Sequence, residues 1–173
     1  MKNYYPELPQ LPYRKTTVLM DLVIKFLQSL PIDKEVKRSC YVVFRNESAN
    51  GNRGINNNYI GFQADSGRWD AAYDKRFTGT CVKVENGTGK QRIFLCFKSW
   101  QDSVEILADK LKARGMYVGG ATSKITKMQV SSKELLAAAY LKEWVKGQAN
   151  YQPTHLEINS FVSMYNQAAK LFV

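Results

Sequence analysis

The residues able to do chemistry in this chain are few, and their types exclude several mechanisms at once. A single histidine, His155, stands among 173 residues. A Ser-His-Asp or Cys-His nucleophile system would have to use it. Yet Thr154-His155-Leu156-Glu157 reads as a helix capping box, which puts His155 at the surface of a first helical turn. Cys40, Cys81 and Cys96 form no C-x-x-C pair, and with one histidine they cannot build a zinc site of ordinary spacing. They read as buried, reduced thiols of a protein made in the cytosol, although Cys81 and Cys96 could also face each other across a hairpin as one disulfide. No G-x-x-x-x-G-K-[ST] or G-x-G-x-x-G run occurs, so phosphate-loop chemistry has no support, and no cofactor or metal is implied. Carboxylate chemistry remains. Glu47 continues a helical stripe of Val36, Cys40, Val43 and Phe44, so its side chain is expected to point inward. A buried carboxylate loses hydration in its charged form, which raises its pKa toward that of a general acid near neutral pH. A helix C-terminus disfavours the anion further. The alternative is a last residue of a frayed helix, facing water.

Those residues have to be positioned by the elements around them. Residues 1–15, with Pro6, Pro9 and Pro12, read as an irregular arm. Thr16 or Thr17 caps a first helix to about Leu30, with Val18, Leu19, Leu22, Val23, Phe26 and Leu27 on its apolar face. Pro31 stops it, and Asp33 caps a second helix that runs to Glu47. Turn formers follow from Ser48 to Gly54. Thr80 to Glu85 and Gln91 to Phe97 read as two strands of a hairpin around Asn86-Gly87-Thr88-Gly89. Three helices come next, capped by Ser99-x-x-Asp102, Ser131-x-x-Glu134 and Thr154-x-x-Glu157, the first two ending at Gly115 and Gly147. The expected fold class is α+β, mostly helical, with one domain over residues 16–173.

Residues 47–69 carry a recognisable order. Glu47-Ser48 ends a helix, a short loop follows, and Asn57-Asn58-Tyr59-Ile60-Gly61 comes next. The chain continues through the hairpin to Phe97-Lys98-Ser99-Trp100, then Asp102-Ser103 and Asp109. Taken together, roughly residues 33–115 resemble the lysozyme-like superfamily, nearest to the bacterial and phage β-N-acetylglucosaminidases that cut peptidoglycan. The resemblance implies a helical lobe with a small β-hairpin lobe beside a cleft. It also implies hydrolysis of β-1,4 bonds in the glycan strand, with Glu47 protonating the leaving oxygen.

Glycoside hydrolysis usually takes a second carboxylate. The resemblance places it on the hairpin, but the matching position here is Lys83. Either Glu85, two residues on and on the same strand face, takes the role, or the acid comes from the preceding loop, as in goose-type lysozymes. Asp65, 18 positions after Glu47, ranks first, Asp70 second and Glu85 third; Asp74 reads as a surface or capping acid. In the motif region, Asn58, Gln63 and Arg68 are candidates for binding substrate. Tyr59, Trp69 and Trp100 could stack on sugar faces or simply fill the core, and Tyr140 is the candidate for a functional tyrosine in the later helices.

Composition bounds the setting. With 45% apolar and 23% charged residues the chain reads as one globular domain. Asp21 and Lys25 interrupt the best apolar run well short of the roughly 18 residues a membrane helix needs. No signal peptide is visible. Lys and Arg total 25 against 15 acids, a net charge of +10, which favours polyanionic partners. No nucleic-acid reader motif accompanies that charge, so specific nucleic-acid binding is not expected. The expected partners are peptidoglycan strands and the anionic cell envelope, met by a monomer without membrane insertion. A phage endolysin or virion-associated lysin, made in the cytoplasm and acting on the cell wall, fits that profile. A catalytically inactive wall-binding or phage structural module on the same scaffold is the alternative, since fold alone does not set function.

Overall fold

Local signals account for most helix ends. The computed structural model describes residues 1–84 and 89–173. Its strands are β1 (Lys15–Thr16), β2 (Gly54–Ile55), β3 (Phe77–Val84) and β4 (Gln91–Phe97). Its helices are α1 (Met20–Ser29), α2 (Lys34–Ser48), α3 (Trp100–Ala113), α4 (Lys133–Ala139) and α5 (His155–Leu171). About 45% of the chain is helical beside two small antiparallel sheets, an α+β and mostly helical architecture.

Asp33 Oδ1 accepts from the Glu35 N–H at 2.7 Å and opens α2. Ser99 and Asp102 cap α3 reciprocally, each side chain accepting the other's backbone N–H at 3.2 and 3.1 Å. Thr154 and Glu157 do the same for α5, and His155 lies exposed in its first turn. Gly115, at φ +64°, ends the α3 region; a Cβ there would lie 1.8 Å from the Ala121 carbonyl oxygen.

Several boundaries differ from expectation. The first helix begins at Met20, not Thr16 or Thr17, because Lys15 and Thr16 pair with Ile55 and Gly54. Its apolar face is narrower too: Val23 and Leu27 are buried, while Leu19 and Leu22 are exposed. The cap of α4 is Ser132 rather than Ser131, its hydroxyl accepting from the Leu135 N–H. Past α4 the backbone widens into a π-helical turn, Tyr140–Lys146. β3 starts at Phe77, with a bulge between Phe77 and Gly79, and pairs Thr80 with Leu95 and Cys81 with Phe94. Most of the expected turn lies outside the described residues. All three cysteines are buried free thiols, and Cys81 and Cys96 share a cluster with Phe94, Leu11 and Ile55.

The chain divides into two compact units, Met1–Val23 with Phe44–Ile106, and Ile24–Val43 with Leu107–Val173. The first is organised by aromatic contacts. Tyr5 meets Phe77 edge-on at 5.6 Å, Phe77 meets Phe97 at 5.2 Å, and Trp69 lies flat on Phe62 at 3.9 Å. The arm before β1 is irregular but tied down. Tyr4 donates to Ala64 O at 2.9 Å, Thr80 N–H to Pro9 O at 2.9 Å, and Leu11 N–H to Thr80 O at 2.7 Å.

In the second unit Tyr140 packs against Phe161 at 5.3 Å and Tyr41 against Phe172 at 5.9 Å. Glu35 accepts from both Arg38 and Tyr165. Glu143, buried in the π-helical turn, accepts from the N–H groups of Ile125 and Thr126 at 3.0 and 2.8 Å and so holds that loop. Among the described residues no helix is long and apolar enough to cross a membrane.

Candidate functional site

Glu47 sits in the last turn of α2, and its neighbour fixes how that turn closes. Ser48 is buried; its hydroxyl donates to Phe44 O and accepts from the Gly51 N–H at 2.8 Å, while Ser48 O accepts from Arg53 N–H at 2.9 Å. The chain then reverses through Ala49, Asn50 and Gly51, all at positive φ. At Gly51 a Cβ would lie 2.2 Å from the Val18 carbonyl oxygen, so the reversal needs glycine. This turn carries the chain into β2 and brings β1 alongside.

The result is an open cavity of about 430 Å³ with Glu47 on its wall. That volume falls within the roughly 300–1,000 Å³ of typical ligand clefts. Tyr13 and Lys15 come from the end of the arm and β1, Arg53, Gly54 and Ile55 from β2 and the residue before it, and Lys83 from β3. All belong to the first unit. Glu47 is half-buried here rather than sealed among apolar side chains, because the stripe it continues runs out onto the cavity wall. The described lining carries three cations and one carboxylate.

The other acids lie elsewhere. Asp65, the first-ranked partner, does not line this cavity. Arg92 forks onto it, Nε at 3.0 Å from Oδ2 and Nη2 at 3.1 Å from Oδ1, and Ile93 N–H adds a bond to Oδ2 at 3.2 Å. Burial pushes the Asp65 carboxyl up, but the Arg92 and Ile93 bonds outweigh it and hold the group below the ordinary aspartate range. Asp70 is exposed and caps the 3₁₀ turn Ala71–Arg76 through the Ala72 N–H at 3.0 Å. Asp74 accepts from Arg68 at 2.8 Å. Glu85 lies outside the described residues.

Most of the candidate binding residues prove to organise the backbone. Asn58 is buried, its amide donating to Phe62 O and Leu95 O at 2.8 and 2.9 Å and accepting from Ile60 and Phe62 N–H at 3.3 and 3.1 Å. Asn56 ties the arm, accepting from Arg14 N–H at 2.7 Å and donating to Pro12 O at 3.0 Å. Tyr59 is buried and stacked on Phe44 at 5.4 Å. Gln63 Oε1 accepts from Ser66 and Arg92. Arg68 stands between Glu7 and Asp74 at 2.6 and 2.8 Å, over the Tyr5 ring at 4.6 Å. Trp69 donates its indole N–H to Gln63 O at 2.9 Å and stacks on Phe62. Trp100, half-buried, opens α3. Tyr140 is buried in the second unit. In this structure none of Asn58, Tyr59 and Tyr140 is open to a ligand.

Sequence reading missed Tyr13, Lys15 and Arg53. No local signal marks them: two-residue strands are too short to show alternation, and their partners lie about forty positions away along the chain. Among the described residues no three His, Cys, Asp or Glu side chains converge as a metal site. Comparison with protein-family models, curated proteins and solved structures returns no match.

Proposed function

We propose that the chain is a glycosidase acting on the glycan strand of peptidoglycan, with Glu47 as the proton donor to the leaving glycosidic oxygen. The observation that carries this reading is that Glu47 lies on the wall of an open, ligand-sized cavity, whereas the described acids Asp65, Asp70 and Asp74 do not line it. The order of elements supports it as well. A helix ends at Glu47-Ser48, an asparagine-rich loop follows, then an antiparallel hairpin, and β4 passes through Ser99 directly into α3. This is the order that the lysozyme-like resemblance implies.

In the reaction, the Glu47 proton goes to the bridging oxygen as the bond to the anomeric carbon breaks; water supplies the hydroxyl of the new reducing end, and its remaining proton, passed through solvent, restores the Glu47 acid. Glu47→Gln is expected to fold with an unchanged melting temperature and to lose wall-clearing activity. Retained clearing by that variant rejects the assignment.

A second reading, a wall-binding or phage structural module without catalysis, is favoured by Lys83 and by the absence of a second carboxylate among the described lining residues. Purified wall material separates the two. New reducing ends mean an enzyme; pelleting without cleavage means a binder.

A further inference from the structure

The wall beside Glu47 gathers positive charge, with Lys15, Arg53 and Lys83 lining it against one carboxylate. Arg38, Arg68, Arg76 and Arg92 each sit against a carboxylate of the protein. Lys15 and Arg53 have no such ion pair among the described residues. They are nonetheless close by construction. Lys15 pairs with Ile55 across the β1–β2 ribbon, and Arg53 lies two residues before Ile55. Arg53 immediately precedes β2, and its side chain and that of Lys15 both line the cavity. Both are exposed. Lys83, 6.0 Å from the centre of the Tyr13 ring, adds a third positive charge to the wall.

Three cations against the single Glu47 carboxylate leave the described lining with excess positive charge, which an added anion offsets. A guanidinium beside an ammonium suits a carboxylate, which takes a forked pair of bonds from the one and a single bond from the other. A neutral sugar would leave that excess in place.

We propose that this cavity selects a carboxylate-bearing glycan, the acid being held between Lys15 and Arg53 while the adjoining glycosidic bond lies at Glu47. The inference rests on the glycan reading above for the position of that bond, but not on cleavage. Two sources present the same chemistry: a lactyl carboxylate carried on the sugar itself, and the carboxylates of an attached stem peptide.

The test measures binding to the full chain carrying Glu47→Gln, so that no probe is consumed. Three probes are titrated: neutral chitotetraose, a peptide-free tetrasaccharide of alternating N-acetylglucosamine and N-acetylmuramic acid, and the same tetrasaccharide with its peptides. Adding Lys15→Gln and Arg53→Gln together is expected to weaken an acid-bearing probe about tenfold or more and to leave chitotetraose within about twofold. A loss seen with the peptide-free probe assigns the lactyl acid, and a loss confined to the peptide-bearing probe assigns the peptide. Equal loss on the neutral and acidic probes overturns the proposal, as does failure of every acidic probe to bind. Thermal melts of the same variants are expected to match the parent, since both substituted positions are exposed. Charge-dependent binding by a wild-type chain that releases no reducing ends rejects catalysis and keeps the recognition. Cleavage that is indifferent to the double substitution rejects the recognition and keeps catalysis.

Discussion

Both oxygens of Asp65 accept from the protein, and its side chain is only 5% exposed, which leaves little of it for a sugar to reach. The Arg92 fork and the Ile93 N–H organise the edge of β4 instead. Asp65→Asn is therefore expected to destabilise the chain by about 1–3 kcal/mol while sparing any glycan cleavage. The pH dependence has a definite sign. The folded carboxyl titrates below its unfolded value, so its contribution is complete above the unfolded aspartate range and disappears as pH falls through the folded value. Melting curves of wild type and Asp65→Asn should converge on acidification. A constant gap would show that Asp65 does not titrate as described. This commitment is hidden in the sequence because Arg92 lies 27 positions away. Arg68 is similar, since its partner Glu7 belongs to the arm. Glu47 was legible because the four-residue step from Val43 is local, and only its half-exposure depended on which long-range neighbours framed it.

Helices announced themselves where a cap and an apolar stripe coincided. The boxes at Ser99/Asp102 and Thr154/Glu157 form as written, since both partners lie within one turn. In α5 the Glu157 carboxylate also accepts from the Tyr151 hydroxyl at 2.7 Å, extending the cap toward the preceding loop. Thr154→Ala is expected to cost about 1 kcal/mol, read as a lower melting temperature with little change in glycan binding. A drop in binding without a drop in melting temperature would contradict a purely local role. The short strands were not readable in the same way. β1 and β2 exist because the Ser48–Gly51 turn and the asparagines at 56 and 57 hold them together, and no two-residue segment carries its own periodic signature. That pairing also brought Lys15 and Arg53 to the wall of the candidate site, so these two escaped notice while its acid did not.

Across the whole molecule, the excess of ten positive charges acts at a longer range than any of these contacts. Ion pairs at Glu35, Asp65, Asp74 and Glu105 occupy part of the acid complement internally. Adsorption to anionic wall polymers should therefore be strong at low ionic strength and should fade as the screening length shrinks from about 10 Å at ~0.1 M salt to about 3 Å at ~1 M. Pelleting with purified walls across a salt series checks this, and Glu47→Gln should follow the same curve. Salt-independent pelleting would show that bulk charge does not drive adsorption. The N-terminal arm offers a different handle. Trp69 lies flat on Phe62, and its backbone N–H reaches the Tyr5 hydroxyl at 2.7 Å. With Trp100 and Trp144 replaced by phenylalanine, the indole at 69 becomes an intrinsic optical gauge whose emission tracks peeling of the first few residues, without any attached dye.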